Sequence, residues 1–314
     1  MPLDPIVKAF LDQMATVPGP KMWELTPEGA RETFNALMDM AGPKDIPIGK
    51  VQDVVAKTPA GDVPIRLYTP VAAGSEALPV LVFFHGGGWV IGNINSHDGL
   101  CRLFANEGCF KVASVEYRLS PETKFPGAVN DAYGAVEWIE QHASELGIDP
   151  NRMAVGGDSA GGNLAAVVTQ LAKAKNHPKL SFQLLCFPVT HIGADTPSLH
   201  DFDTGYFLER PGLDWFYANY LPAEGDETDP RASPLLSKDF AGLPPAYVML
   251  AGFDPLHDEG MQYVEKLRAA GVKVELKDYA DMVHDFIYLQ AIVPQAHEAL
   301  ASAAKAVAEA LKED

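Results

Sequence analysis

Gly157-Asp158-Ser159-Ala160-Gly161 stands between an apolar run ending at Gly156 and a helical stretch beginning near Ala160. A serine between small residues at a strand-to-helix turn is a nucleophile candidate, because the strained turn lifts its hydroxyl out of the sheet and sets it at the positive end of the helix. A phosphate-cradling loop would need a lysine after the second glycine, but Gly162-Asn163 follow. A second glycine run, His85-Gly86-Gly87-Gly88-Trp89, comes directly after the apolar segment Val80 to Phe84. Backbone N–H groups with no side chains in the way can converge on a developing oxyanion, so Gly87, Gly88 and Ala160 are the candidate donors. The run is not a dinucleotide fingerprint, since Ile91 occupies the place of its third glycine.

A hydroxyl nucleophile needs a base, and the base needs an orienting carboxylate. Asp254 follows the apolar run Ala246 to Ala251, and His284 follows the run Val272 to Tyr279. Ser159, Asp254 and His284 then all stand past carboxyl ends of strands, where α/β sheets gather their sites. Asp258 and Asp281 are rivals for the acid. Asp258 falls one turn into a helix, and Asp281 is so close to His284 that it would compete for the same loop. His85 is expected to pin the glycine loop rather than serve as the base, and His142, His177 and His297 read as ordinary surface residues.

The elements that must hold these residues follow from periodicity. Apolar runs at 51–57, 63–68, 79–84, 112–116, 152–156, 180–187, 246–251 and 272–279 predict eight strands, several of them buried on both faces as in a parallel sheet. Helical stretches at 128–146, 164–175, 258–270 and 296–311 alternate with them, which predicts a doubly covered, mostly parallel sheet. Before the first strand, Asp4-Pro5 and Thr26-Pro27 signal two helix starts, and the second helix stops at Gly42-Pro43. The chain therefore divides into N-terminal cap helices (1–45), a catalytic α/β domain (46–189 and 235–314) and a cap insertion (190–234), which is too rich in aromatics and turns to be a simple connection. Phe34, Trp89, Phe207 and Phe286 are expected to wall an apolar substrate pocket.

The chain has 314 residues, long enough for one large α/β domain with insertions. Lys and Arg total 24 against 42 Asp and Glu, a net charge of −18 that repels nucleic acid and anionic membranes alike. Cys101, Cys109 and Cys186 are too few for a disulfide framework and lack zinc-site spacing, which suits a reducing cytoplasm. The first twenty residues read as neither a secretory signal nor a membrane span. A cytoplasmic enzyme with no metal and no organic cofactor is expected, and a homodimer stays open.

With these motifs in order, together with Tyr117-Arg118-Leu119-Ser120-Pro121-Glu122, Phe125-Pro126, Ser233-Pro234-Leu235, Leu243-Pro244-Pro245 and Asp254-Pro255-Leu256-His257-Asp258-Glu259-Gly260, the chain resembles the bacterial hormone-sensitive-lipase family of α/β-hydrolases over nearly its whole length. The resemblance implies a carboxylesterase for short- to medium-chain acyl esters, with Ser159, Asp254 and His284 as triad, Gly87, Gly88 and Ala160 as oxyanion hole, and a helical cap. An amidase on the same triad is the alternative. A non-catalytic receptor, as in the related plant gibberellin receptors that lack the histidine, is disfavoured by His284. Three positions depart from the family pattern: Ser120 replaces alanine, His257 replaces arginine, and Asp285 replaces the glycine that ordinarily follows the base.

Overall fold

Val80, Val82 and Phe84 pack into one apolar cluster, while Leu81 and Phe83, between them in sequence, pack into another. Successive side chains of a strand point to opposite faces, so this run lies at the centre of a sheet covered on both sides. The computed structural model describes residues 2–42 and 44–312, so Pro43 of the expected stop signal lies outside the described residues. The strands are β1 (Lys50–Thr58), β2 (Gly61–Thr69), β3 (Leu78–Phe84), β4 (Lys111–Val115), β5 (Ile148–Asp158), β6 (Phe182–Cys186), β7 (Ala246–Phe253) and β8 (Val274–Val283). They form one sheet in the order β1-β2-β4-β3-β5-β6-β7-β8, antiparallel from β1 to β4 across β2 and parallel elsewhere. This is the doubly covered, mostly parallel sheet that the alternating pattern predicted, in the α/β-hydrolase fold that the resemblance implied.

The helices are α1 (Pro5–Thr16), α2 (Pro27–Ala41), α3 (Asp98–Gly108), α4 (Gly127–Gln141), α5 (Ala143–Leu146), α6 (Ala160–Lys175), α7 (Pro197–Asp201), α8 (Arg210–Tyr220), α9 (His257–Ala269) and α10 (Pro294–Ala310). Apolar residues of α4, α6 and α9, such as Val136, Leu164 and Val264, share the cluster of Val82. Those of α3 and α10, such as Phe104 and Ala303, share the cluster of Phe83. The two N-terminal starts form as expected: Asp4 Oδ1 accepts the Ile6 and Val7 N–H groups at 2.8 and 3.0 Å, and Thr26 Oγ1 accepts the Gly29 N–H.

Several boundaries differ from expectation. The stretch 128–146 is broken at His142, whose Nδ1 and backbone N–H both meet the Trp138 carbonyl and whose backbone leaves helical geometry. Helix α3 was not foreseen at all. The insertion carries helices of its own, α7 and α8, as its length required. No helix of the described residues is long and apolar enough to cross a membrane.

Candidate active site

Strands β5, β7 and β8 end one residue before Ser159, Asp254 and His284 respectively. Both β7 and β8 run further than their apolar cores suggested, through Phe253 and Val283, and this extension delivers Asp254 and His284 to the same edge of the sheet as Ser159. Ser159 has φ 54° and ψ −118°, a conformation that costs on the order of 1–3 kcal/mol and is held by its surroundings. The turn is possible only with glycine on both sides: a Cβ at Gly157 would lie 2.4 Å, and one at Gly161 1.9 Å, from the Phe84 carbonyl oxygen. The Ser159 N–H donates to the Cys186 carbonyl on β6 at 2.8 Å, which fixes the elbow to the neighbouring strand.

The Ser159 hydroxyl lies 3.0 Å from His284 Nε2, and His284 Nδ1 lies 2.7 Å from Asp254 Oδ2. Asp254 Oδ1 accepts the Leu256 N–H at 2.8 Å, so the carboxylate is held from both sides. An Nδ1–H donated to Asp254 leaves Nε2 as the acceptor for the serine proton. All three side chains are buried. Of the rival carboxylates, Asp258 instead accepts the Ser198 N–H and contacts His257, and Asp281 lies within β8.

His85 holds the glycine loop, as expected: its Nδ1 meets the Gly86 carbonyl, its ring stacks on Tyr117 at 4.2 Å, and Tyr117 Oη donates to its carbonyl at 2.7 Å. Burial pushes its pKa down to about 3, so it is a neutral structural imidazole. Two further residues outside every motif serve the site, His97, whose Nε2 accepts the Gly86 N–H at 3.2 Å, and Tyr288, whose hydroxyl donates to Asp158 Oδ2 at 2.7 Å. These two brace the glycine loop and the residue before the serine, and nothing in their local spacing marks them.

Gly87 and Gly88 have φ +108° and +57°. A Cβ on Gly87 would strike the Ile91 carbonyl at 2.3 Å, and one on Gly88 would enter the Phe216 ring at 2.2 Å. Among the described residues no protein acceptor takes the N–H of Gly87, Gly88 or Ala160. Ala160 opens α6, whose first N–H groups have no intrahelical partner.

Gly87, Gly88, Ser159 and His284 border a cavity of about 680 Å³. Its walls come from both the N-terminal segment and the insertion, and Phe34 and Phe207 are among them. Trp89 borders it too, but its fully buried ring lies stacked on Tyr220 at 4.1 Å, packing α8 onto the glycine loop. Phe286 does not line the cavity. After the left-handed residue Asp285 (φ 53°) its ring enters the core between Phe187 and Tyr279, at 5.6 and 5.0 Å. Leu213, Phe216 and Tyr217 also line the cavity, on one face of α8 at helical spacing, and the two aromatics come from the insertion whose aromatic content the sequence displays. Arg31 ties α2 to the loops below it, donating to the Val90 and Ser120 carbonyls and forking onto Glu122.

Burial works against a charge on His284, but Asp254 and Asp285 outweigh it and lift its pKa well above the usual histidine value. Asp285 Oδ2 lies 3.3 Å from Nε2. Burial pushes the Asp285 carboxyl up in turn.

Residues 81–288 match the model of a family described by its α/β-hydrolase fold. The chain is 47% identical over 245 residues to the carboxylic ester hydrolase LipN of Mycobacterium tuberculosis, covering 76% of this chain and 65% of that protein. It is 38% identical over 290 residues to an ethyl acetate hydrolase of Pseudomonas putida, covering 91% of each. Among solved structures, the ester hydrolase EH1AB1 from the metagenome of Lake Arreo superposes with a TM-score of 0.95 at 37% identity over 98% of both chains. A thermostable esterase of Pseudomonas putida superposes with a TM-score of 0.96 at 35% identity, covering 100% of this chain and 99% of the other.

Proposed function

The chain belongs to the α/β-hydrolase family, and on that premise we propose that it is a serine carboxylesterase hydrolysing short- to medium-chain acyl esters. The observation that carries the reading is the chain of two contacts, Ser159 Oγ to His284 Nε2 at 3.0 Å and His284 Nδ1 to Asp254 Oδ2 at 2.7 Å. Ser159 Oγ attacks the ester carbonyl carbon while its proton passes to Nε2. The carbonyl oxygen takes the negative charge and is met by the N–H groups of Gly87, Gly88 and Ala160, each worth about 10²–10³ in rate. The imidazolium then gives its proton to the departing alcohol, leaving an acyl-enzyme, and water repeats the sequence to release the acid and restore Ser159. Asp254 holds the imidazole tautomer and stabilises its cation.

The N-terminal helices and the insertion act as a cap. The cavity they close is apolar on most of its walls, and its size suits a small ester rather than an emulsion surface. Each acyl methylene gains about 0.8 kcal/mol only until the pocket is full, so activity peaks at roughly four to eight carbons. Three free cysteines, with Cys101 and Cys186 buried, accord with a reducing compartment.

A series of p-nitrophenyl esters of rising acyl length, each paired with its matched p-nitroanilide, tests the assignment. The expected result is a kcat/KM maximum within that range and little anilide hydrolysis. Comparable anilide turnover would make the enzyme an amidase on the same triad, and a preference for long-chain emulsified triglycerides would contradict the pocket reading.

A further inference from the structure

His284 Nε2 faces two oxygens, Ser159 Oγ at 3.0 Å and Asp285 Oδ2 at 3.3 Å. With Nδ1–H given to Asp254, a neutral imidazole offers only a lone pair at Nε2, and an ionised carboxylate offers only lone pairs in return. Two such atoms at this distance attract each other only when a proton lies between them. The Asp285 side chain has no competing engagement: its other oxygen, Oδ1, is buried and has no hydrogen-bond partner among the described residues. Its backbone is in the left-handed region, at φ 53°, which sets this side chain beside the imidazole and sends the next, Phe286, into the core.

The other groups bearing on the pair come from separate elements. Asp254 at the end of β7 holds Nδ1, Asp158 at the end of β5 repels the Asp285 carboxylate, and Glu259 on α9 is electrostatically coupled to His284. The Cys186 thiol on β6 feels both Asp158 and Asp285, and burial keeps it in its neutral form. The imidazole is thus ringed by acids, and Asp285 alone among them contacts the nitrogen that must take the serine proton.

We propose that Asp285 is a positioning residue for the base: its Oδ2 accepts the Nε2–H of the imidazolium and holds the free enzyme idle until that proton is lost to solvent. Once the proton has gone, the Ser159 O–H donates to Nε2 and attack can proceed. During attack the serine proton re-forms the imidazolium, and Asp285 then stabilises that cation beside Asp254. The same contact therefore suppresses activity at low pH and assists it at high pH. The inference rests on the reading of His284 as general base.

The test is the pH dependence of kcat and KM for the wild type and Asp285→Asn on a short-chain p-nitrophenyl ester, with Ser159→Ala as control. The profiles are expected to cross: the acid limb of kcat/KM in Asp285→Asn moves down by about one pH unit, a tenfold gain at fixed pH on the limb, while its plateau kcat falls below wild type with KM little changed. Asp285→Gly, which suits the positive φ, carries the same readout should the asparagine variant not fold. Titration of the His284 ring by NMR in Ser159→Ala, with and without Asp285→Asn, reads the imidazolium without catalysis and is expected to move in the same direction. Coincident acid limbs and coincident NMR titrations would overturn the role of Asp285 while leaving the triad intact. Turnover by Ser159→Ala would instead overturn the triad.

Discussion

Phe84 and Gly157 are paired neighbours on the adjacent parallel strands β3 and β5, and the chain leaves the sheet after Phe84 on one and after Asp158 on the other, so the two exits lie side by side. One exit becomes the glycine loop from His85 and the other becomes the elbow that carries Ser159. The close approach is visible at Gly86, where a Cβ would lie 2.0 Å from Asp158 Oδ2. The proposed oxyanion donors and nucleophile are thereby set by backbone pairing of the sheet rather than by flexible side chains, the kind of preorganisation on which electrostatic catalysis depends.

Gly88→Ala should lower kcat by about 10²-fold, because the methyl meets the Phe216 ring and the +57° φ is unfavourable, so the loop must shift its N–H away from the oxyanion. Adding Phe216→Ala to that variant removes the collision but not the backbone strain, and should restore part of the loss. The check is steady-state kinetics of the two variants. Wild-type kcat in Gly88→Ala would mean that this N–H is not a donor in the reaction.

The sheet was legible in sequence because β3 and β7 bury both faces and read as continuous apolar runs. Their lateral order was not, since pairing β3 between β4 and β5 depends on crossovers that no local pattern encodes. Helix α3 escaped notice for a local reason: it has a glycine near its start and another at its end, and His97 at its N-cap makes no side-chain capping bond. That Ser159, Asp254 and His284 come together was legible from strand-end position together with motif. The pocket was only partly so: Phe286 is aromatic like Phe34, but the positive φ of Asp285 turns the chain there, and its ring ends in packed interior. Aromatic type indicates burial, and only the backbone direction says against what.

His257, where the resembling family carries arginine, contacts Asp278 and Asp258 at 3.3 and 3.2 Å. The hydrogen bond to Asp278, then that to Asp258, outweighs burial and raises its pKa to about 9. A folded-state pKa above the unfolded value of about 6.5 means that the stabilisation is complete below that pH and disappears as pH rises through 9. With solvent screening it amounts to about 1 kcal/mol. Thermal unfolding of wild type and His257→Gln should therefore show a higher melting temperature for wild type at pH 6, with the gap closing by pH 10. A gap independent of pH would assign His257 a packing role instead.

Ser159, His284 and Asp254 are expected to act as one catalytic unit on an ester carbonyl. The Ser159 hydroxyl borders the cavity rather than supporting the core, so Ser159→Ala should keep the fold, checked by circular dichroism and thermal unfolding. The decisive measurement is kcat/KM for p-nitrophenyl butyrate in Ser159→Ala, His284→Ala and the double variant. Because members of a triad act together, each single variant should lose activity by about as much as the double, of order 10⁴-fold or more. Near-wild-type turnover in folded Ser159→Ala, or losses that multiply in the double variant, would contradict the account.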